Sequence, residues 1–375
     1  MDFEHSDERK MLADTLDRWV LQDYPLAARL TAGASELGYA RDKWASLAEL
    51  GVIGALFAEE DGGFGGHGFD LSVVFQSLGR GLVVEPLLQS GVLGGGAVAL
   101  GGGQAELIEA LISGEKQTAL AHFEASDGGE IDAIEAVAEK TRDGWRLRGQ
   151  KAVVRSAASA DFLVVSAKSA AGVSLFMVPS DNGGLSLQTY QTIDGGSASE
   201  VLLDAVDLPT DALIGTEGQG AEILTEVLGR GVLCLCAEAL GLMEVIRDIT
   251  VEFLQTRKQF GLPIGKFQAL QHRMAEMLLE IEQVKSAVIN AADVVDTPGR
   301  PRERALSAAK YTVGRVGKLV AEEAIQMHGG MGMTWEYPLG HFAKRLVMID
   351  HELGDEDHHL TRFIALGRAD GRADG

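Results

Sequence analysis

Arg257 and Gln268 stand eleven residues apart in a stretch broken by Gly261, Pro263 and Gly265. A guanidinium grips phosphate through paired, charge-assisted hydrogen bonds, and a neighbouring amide can donate to the same group. The plain alternative is an Arg that completes a helix C-terminus. A second stretch, Gln326-Met-His-Gly-Gly-Met-Gly-Met-Thr-Trp-Glu-Tyr-Pro338, carries three glycines, where backbone can come close to a ligand.

Both stretches need helices to place them. Leu235, Leu242, Val245, Ile246, Ile249 and Phe253 recur at helical spacing before the first, and Leu270, Met274, Met277, Leu278, Ile281 and Val284 do so after it. The glycines and proline between them predict a helix–turn–helix corner, with Arg257 at the end of one helix and Gln268 at the start of the next. A break at Asp296–Pro301 opens another run, whose Ala305, Ala308, Ala309, Gly314, Gly317, Ala321 and Ala324 let a helix approach its neighbours closely, in a bundle or at a subunit interface.

Together the two stretches resemble the acyl-CoA dehydrogenase family. There an Arg-Lys-Gln-Phe-Gly corner and a Gln-x-x-Gly-Gly turn bind the pyrophosphate end of FAD belonging to a neighbouring subunit. The resemblance implies FAD as cofactor and gives its binding to Arg257, Phe260, Gln268, Gln326, Gly329 and Gly330, with Asp355 grouped among them. It also implies an α+β, mainly α architecture: an N-terminal helical domain over 1–117, a middle antiparallel β-barrel over 118–215, a C-terminal four-helix bundle over 216–366 and a disordered tail over 367–375.

The family reaction removes an α-proton from an acyl-CoA thioester while hydride leaves the β-carbon for the flavin, so one carboxylate base is needed. The usual base is the Glu of a Tyr-Glu-Gly-Thr turn. Counting without gaps from Gly329 puts Leu353 on that Glu and Gly354 on the Gly, leaving Glu352 one residue early. That is a displacement of roughly 3.8 Å along the backbone, where a misplacement of about 1 Å can cost on the order of a hundredfold. Glu352 is the candidate base only if the turn bulges. The alternative family base, on the helix before the corner, falls at Gly231-Val232, and neighbouring Arg230 cannot act as a base. Where the family carries Trp-Ile-Thr against the flavin, this chain has Val153, Val154 and Arg155 after Gly149-Gln-Lys151, and the Glu-Pro-Gly-type loop reads Glu124-Ala-Ser-Asp-Gly-Gly129.

Composition narrows the class. A net charge of −22 and a pI near 4.8 repel nucleic acid and anionic lipid, and no basic cluster offsets this. The acidic N-terminus lacks the regions of a signal peptide and no apolar run reaches the length of a membrane span, so a cytoplasmic protein is expected. Cys234 and Cys236 sit about 200° apart on one helix and read as small core residues. Asp355-Glu-Asp-His-His359 is read as a solvated polar turn, with no metal.

Along the chain, Ser6 is the expected N-cap of a helical region running to about Ile112, interrupted by a structural glycine-rich loop, Glu59–Gly68. From Thr118 to about Ile214 the period changes to that of strands: 119–123, 133–138, 145–147, 162–166, 173–178 and 201–206. The Gly354–Leu360 turn is similar to that of small subunits of heteromeric enzymes of the pimeloyl-CoA or steroid side-chain type. The expectation is therefore an FAD-dependent acyl-CoA dehydrogenase subunit of lipid or steroid degradation, paired with a homologous subunit in a heterotetramer or with itself, with electron-transfer flavoprotein as acceptor. Its rivals are a non-catalytic structural subunit that lends its FAD clamp, and a flavin oxidase or monooxygenase.

Overall fold

The computed structural model describes residues 6–125 and 131–368. In chain order the elements are α1 (Asp7–Asp23), α2 (Leu26–Gly33), α3 (Arg41–Glu49), α4 (Gly68–Gly81), α5 (Gly96–Gly101) and α6 (Ala105–Ile112), then β1 (Thr118–Ala121), β2 (Val137–Lys140), β3 (Gly144–Arg155), β4 (Phe162–Ser169), β5 (Gly172–Pro179), β6 (Leu185–Gln191), β7 (Ser197–Pro209) and β8 (Leu213–Ile214). The rest is α7 (Gly220–Thr256), β9 (Lys258–Gln259), β10 (Leu262–Pro263), α8 (Gln268–Val294), α9 (Arg300–His328), α10 (Leu339–His351) and α11 (Glu356–Arg368). Ser6 caps α1 as expected, its hydroxyl accepting from the Arg9 N–H. A π-helix over Leu87–Gly95 precedes α5.

The described residues fall into two compact units, one made of those up to Ala28, of His67–Val83 and of those from Val232 on, the other of those within Arg29–Gly66 and Val84–Gly231. The second unit holds the sheet, in the order β6-β7-β3-β2-β4-β5-β8 with β1 also on β4. Its core is Leu147, Leu163, Val165, Leu175, Phe176, Val178, Val201, Leu203 and Val206. The expected antiparallel barrel is corrected on two counts: among the described residues the ladder does not close, and β1 and β2 both run parallel to β4. The expected strand at 133–138 begins later, at Val137, because the amides of Glu135 and Ala136 are taken by the Glu124 carboxylate at 2.7 and 3.1 Å and cannot join a ladder. Edge strands β6 and β8 were not anticipated; β6 is largely exposed and carries little of the burial signal that marks a strand.

In the first unit α9 packs against α8, α10 and α11. The small residues of α9 serve this intramolecular packing: Ala309, Ala321 and Ala324 are buried, and a Cβ added at Gly314 would sit 2.1 Å from Asp350 Oδ1 of α10. The region after Gly220 is helical, as expected, with five helices rather than four. Cys234 and Cys236 are free and buried, and burial pushes the Cys236 thiol up to about 12. Gly367 and Arg368, expected in the tail, continue α11; 369–375 lie outside the described residues. Among the described residues no helix is long and apolar enough to cross a membrane, and no group of three or more His, Cys, Asp or Glu side chains is placed to hold a metal.

Candidate functional site

The corner forms where expected. α7 stops at Thr256, and the next amide, that of Arg257, still reaches the Phe253 carbonyl at 2.9 Å while the Arg257 carbonyl accepts from Ile264 N–H at 2.8 Å. Between them β9 and β10 make a minimal antiparallel hairpin. Its loop residues Phe260 and Gly261 have φ of +53° and +80°, the handedness that suits a two-residue hairpin. Gly tolerates that region freely, but an aromatic does not, and Phe260 is 90% exposed with only its edge against Phe267. A strained residue that displays its ring to solvent is the sort that function retains. The Arg257 guanidinium makes no hydrogen bond or ion pair among the described residues. In a chain with 55 acidic and 33 basic residues, a cation left so is available for a ligand.

α9 ends at His328, and Gly329 turns with φ +61°. A Cβ built at Gly329 or at Gly330 meets nothing within 4 Å, so no crowding inside this chain requires glycine at Gly330. The two stretches are joined through His328, whose ring stacks on Phe253 of α7 at 4.3 Å and 27°. Its Nδ1 donates to the Ala324 carbonyl at 2.8 Å, since a carbonyl only accepts, so Nε2 of the neutral ring accepts from the Tyr337 hydroxyl at 3.1 Å. Arg273 of α8 also binds Glu323 of α9 at 2.9 Å. The end of α7, the start of α8 and the end of α9 thus meet at one end of the bundle. Exposed Arg257, Phe260, Gln268, Gln326, Gly329 and Gly330 all emerge there.

Glu352 and Asp355 lie elsewhere. α10 starts beside the glycine turn, with His341 bonded to the Trp335 carbonyl, and its 13 residues carry the chain on by about 20 Å. There Glu352 accepts from Arg345 Nη1 at 2.5 Å, and the same guanidinium holds both oxygens of Glu238 at 2.6 and 2.8 Å. Leu353 takes a φ of +55°. Its carbonyl accepts from His359 Nε2 at 2.9 Å, and Lys310 Nζ reaches the carbonyls of Asp350 and Gly354 at 2.9 and 2.6 Å. Burial drives the Lys310 ammonium below its ordinary range and His359 down to about 3. Asp355 is the N-cap of α11, its carboxylate accepting from His358 N–H at 2.8 Å. Lys310, Arg345 and Glu238 were not singled out from the sequence. The one available signal was a charged residue on an otherwise apolar helix face, as Lys310 is between Leu306, Ala309 and Val313.

In the sheet unit Lys151 is wholly buried, bonded to Glu124 at 2.5 Å, to the His122 carbonyl at 3.2 Å and to Ser166 at 3.1 Å. Burial pushes the Glu124 carboxyl up, but Lys151 and the amides of Glu135 and Ala136 pull it further down, so it stays ionised. The register slips between Lys151 and Val154, Val153 at this bulge has φ +52° and is half exposed, and the amide of adjacent Ala152 donates to the carbonyl of exposed Phe123 at 2.9 Å. Arg155 turns to Asp194 at 3.2 Å. Of the loop that begins at Glu124, residues 126–130 lie outside the described residues.

Three family models match in succession: acyl-CoA dehydrogenase N-terminal domain over residues 6–114, middle domain over 119–206 and C-terminal domain over 218–362. The chain is 26% identical to a probable acyl-CoA dehydrogenase, YngJ, of Bacillus subtilis (strain 168), over 97% of this chain and 98% of that one. It is 28% identical to a glutaryl-CoA dehydrogenase of Desulfococcus multivorans, covering 91% and 92%. Among solved structures, a variant of the Tcur3481–Tcur3483 steroid ACAD superposes with a TM-score of 0.88 at 29% identity, over 98% of this chain and 99% of that one. The ChsE4–ChsE5 complex of Mycobacterium tuberculosis does so with 0.89 at 25%, over 97% and 98%.

Proposed function

The chain belongs to the acyl-CoA dehydrogenase family, and we propose that it is a subunit of an FAD-dependent enzyme that desaturates an acyl-CoA thioester, with a homologous partner subunit completing each active site. The observation that carries this reading is the contrast within the first unit. Arg257 makes no hydrogen bond or ion pair among the described residues and emerges at the same end of the bundle as the open glycines 329 and 330, whereas at the counted base position Leu353 is apolar and adjacent Glu352 is held by Arg345.

The residues present fit the phosphate end of FAD. Arg257 supplies the charge, Gln268 and Gln326 supply amide donors, and the two glycines leave room for a pyrophosphate against the backbone. Exposed Phe260 would lie over the ligand's flat part, and the exposure of the whole set suits a cofactor held by a neighbouring subunit. Bound FAD supplies the hydride acceptor for the thioester's β-carbon. Proton removal falls to a carboxylate of the partner, because this chain offers Leu353 there. An electron-transferring flavoprotein is the electron acceptor in this reading, and the likeness to the Tcur3481–Tcur3483 steroid ACAD supports lipid or steroid degradation as the setting.

The test is stoichiometry on a co-purified complex. One FAD per pair of chains, bleached by acyl-CoA under anaerobic conditions, agrees with the proposal. A homotetramer of this chain alone with one FAD per subunit and acyl-CoA oxidation would sink it, and an FAD-holding complex inert to acyl-CoA would favour a purely structural subunit.

A further inference from the structure

His328 belongs to neither the corner nor the glycine pair as a ligand-facing residue: it is 5% exposed. Yet each of its contacts joins parts of the site. The ring face rests on Phe253, four residues before Arg257 on the same helix end. Nδ1 bonds back to Ala324, fixing the ring within the last turn of α9 and directly ahead of Gly329. Nε2 accepts a hydrogen bond from the hydroxyl of Tyr337, which anchors the far side of the 329–338 loop. Resting on the reading of the corner as an FAD clamp, we propose that His328 is the positioning residue of that clamp: neutral, it sets the spacing between Arg257 and the Gln326–Gly330 turn.

Burial favours the neutral form. In it Nδ1 carries the proton and Nε2 accepts from Tyr337; protonation would reverse that bond, making the Tyr337 oxygen the acceptor, and would place a cation on Phe253 with no carboxylate in contact among the described residues. Burial lowers the imidazole's pKa, against the pull of the Ala324 and Ile249 carbonyls. The groups packed on the ring are Ile249 and Phe253 of α7, Ala324 of its own helix and Tyr337 before α10. Of these Tyr337 is the titratable one, and burial, with Glu252 adding to it, raises its pKa, so the phenol keeps its proton. A histidine whose folded pKa lies below the ordinary value of about 6.5 stays neutral in the folded clamp through that pH and takes its proton only at lower pH. The clamp is therefore expected to loosen with acid.

The experiment measures FAD retention, by flavin absorbance after gel filtration, on the co-purified complex from pH 7.5 to 5. Wild type should hold FAD through about pH 6.5, the ordinary imidazole value, and shed it only at lower pH, where the ring protonates in the folded clamp. His328→Phe keeps a ring on Phe253 but removes both hydrogen bonds; it should weaken retention about fivefold at pH 7.5, the scale of one net hydrogen bond, and flatten the acid dependence. Tyr337→Phe removes only the Nε2 bond, should give a smaller loss with the same flattening, and decides the matter if His328→Phe does not fold. Arg257→Ala serves as the reference. If it loses FAD while the His328 and Tyr337 variants match wild type in retention and pH profile, the positioning role is overturned and the clamp stands. If Arg257→Ala also retains FAD, the clamp reading itself has failed.

Discussion

Arg345 holds Glu352 and Glu238 on one guanidinium, Nη1 to Glu352 at 2.5 Å and Nε and Nη2 to Glu238 at 2.6 and 2.8 Å. A carboxylate so engaged is a poor general base, because taking a proton would cost it the pairing. Glu352→Gln leaves the Arg345–Glu238 pair in place. We expect flavin reduction by acyl-CoA in the complex to stay within about twofold of wild type, far short of the hundredfold or more that removal of a general base costs. Abolished reduction with flavin still bound would make Glu352 the base after all.

Arg257→Ala removes an exposed guanidinium that makes no hydrogen bond or ion pair among the described residues, so the folded chain should lose little stability. A charge-assisted contact to phosphate contributes about 1.5–3 kcal/mol, and FAD retention should fall roughly tenfold or more. Equilibrium dialysis of flavin against the purified complex checks it, with unchanged flavin content as the contrary result.

Lys310→Met replaces a buried ammonium by an apolar chain of similar length. The carbonyls of Asp350 and Gly354 lose their donor, at about 1–3 kcal/mol each, partly offset by no longer burying a charge. A net loss of about 2 kcal/mol is expected in the urea midpoint. Because Leu353 holds φ +55° between these anchors, amide exchange at residues 352–354 should quicken more than in α10 itself. Uniform exchange would show that the turn does not depend on Lys310.

Glu124 and Lys151 make the sheet unit sensitive to acid. The carboxyl's folded pKa lies below its unfolded value of about 4.3, so its contribution is complete above that pH and is lost as pH falls through the lower folded value. Urea melts between pH 7 and 3 should show this loss, and Glu124→Gln should remove it from the profile. Lys151→Met leaves the carboxylate buried without its cation, at a cost of about 3–5 kcal/mol. A stability loss below about 1 kcal/mol would mean that the pair contributes little.

Much of the helical framework was legible from spacing alone. The 3.6-residue period around the corner is a local property, and Gly and Pro punctuate it through their own backbone limits. α7 therefore ends at Thr256, α8 begins at Gln268 and α9 ends at His328, where the sequence places them. Strands were partly legible: β4 and β5 carry strong buried runs, but edge strand β6 has no such signal.

What only the tertiary structure decided is which side chains meet. Glu352, Arg345 and Glu238 come from separate parts of the chain, as do His328, Phe253 and Tyr337, and no period or motif encodes a contact made across helices. The sheet's failure to close and the parallel placement of β1 and β2 on β4 likewise depend on long-range pairing, which local alternation cannot specify. The sequence by itself placed an Arg and two Gln beside glycine-broken turns and put Leu353 at the position counted from Gly329. Folding decided that the nearest carboxylate is bound by Arg345, and that a buried imidazole ties the corner to the glycine turn, because both follow from helix packing at distances that sequence spacing does not record.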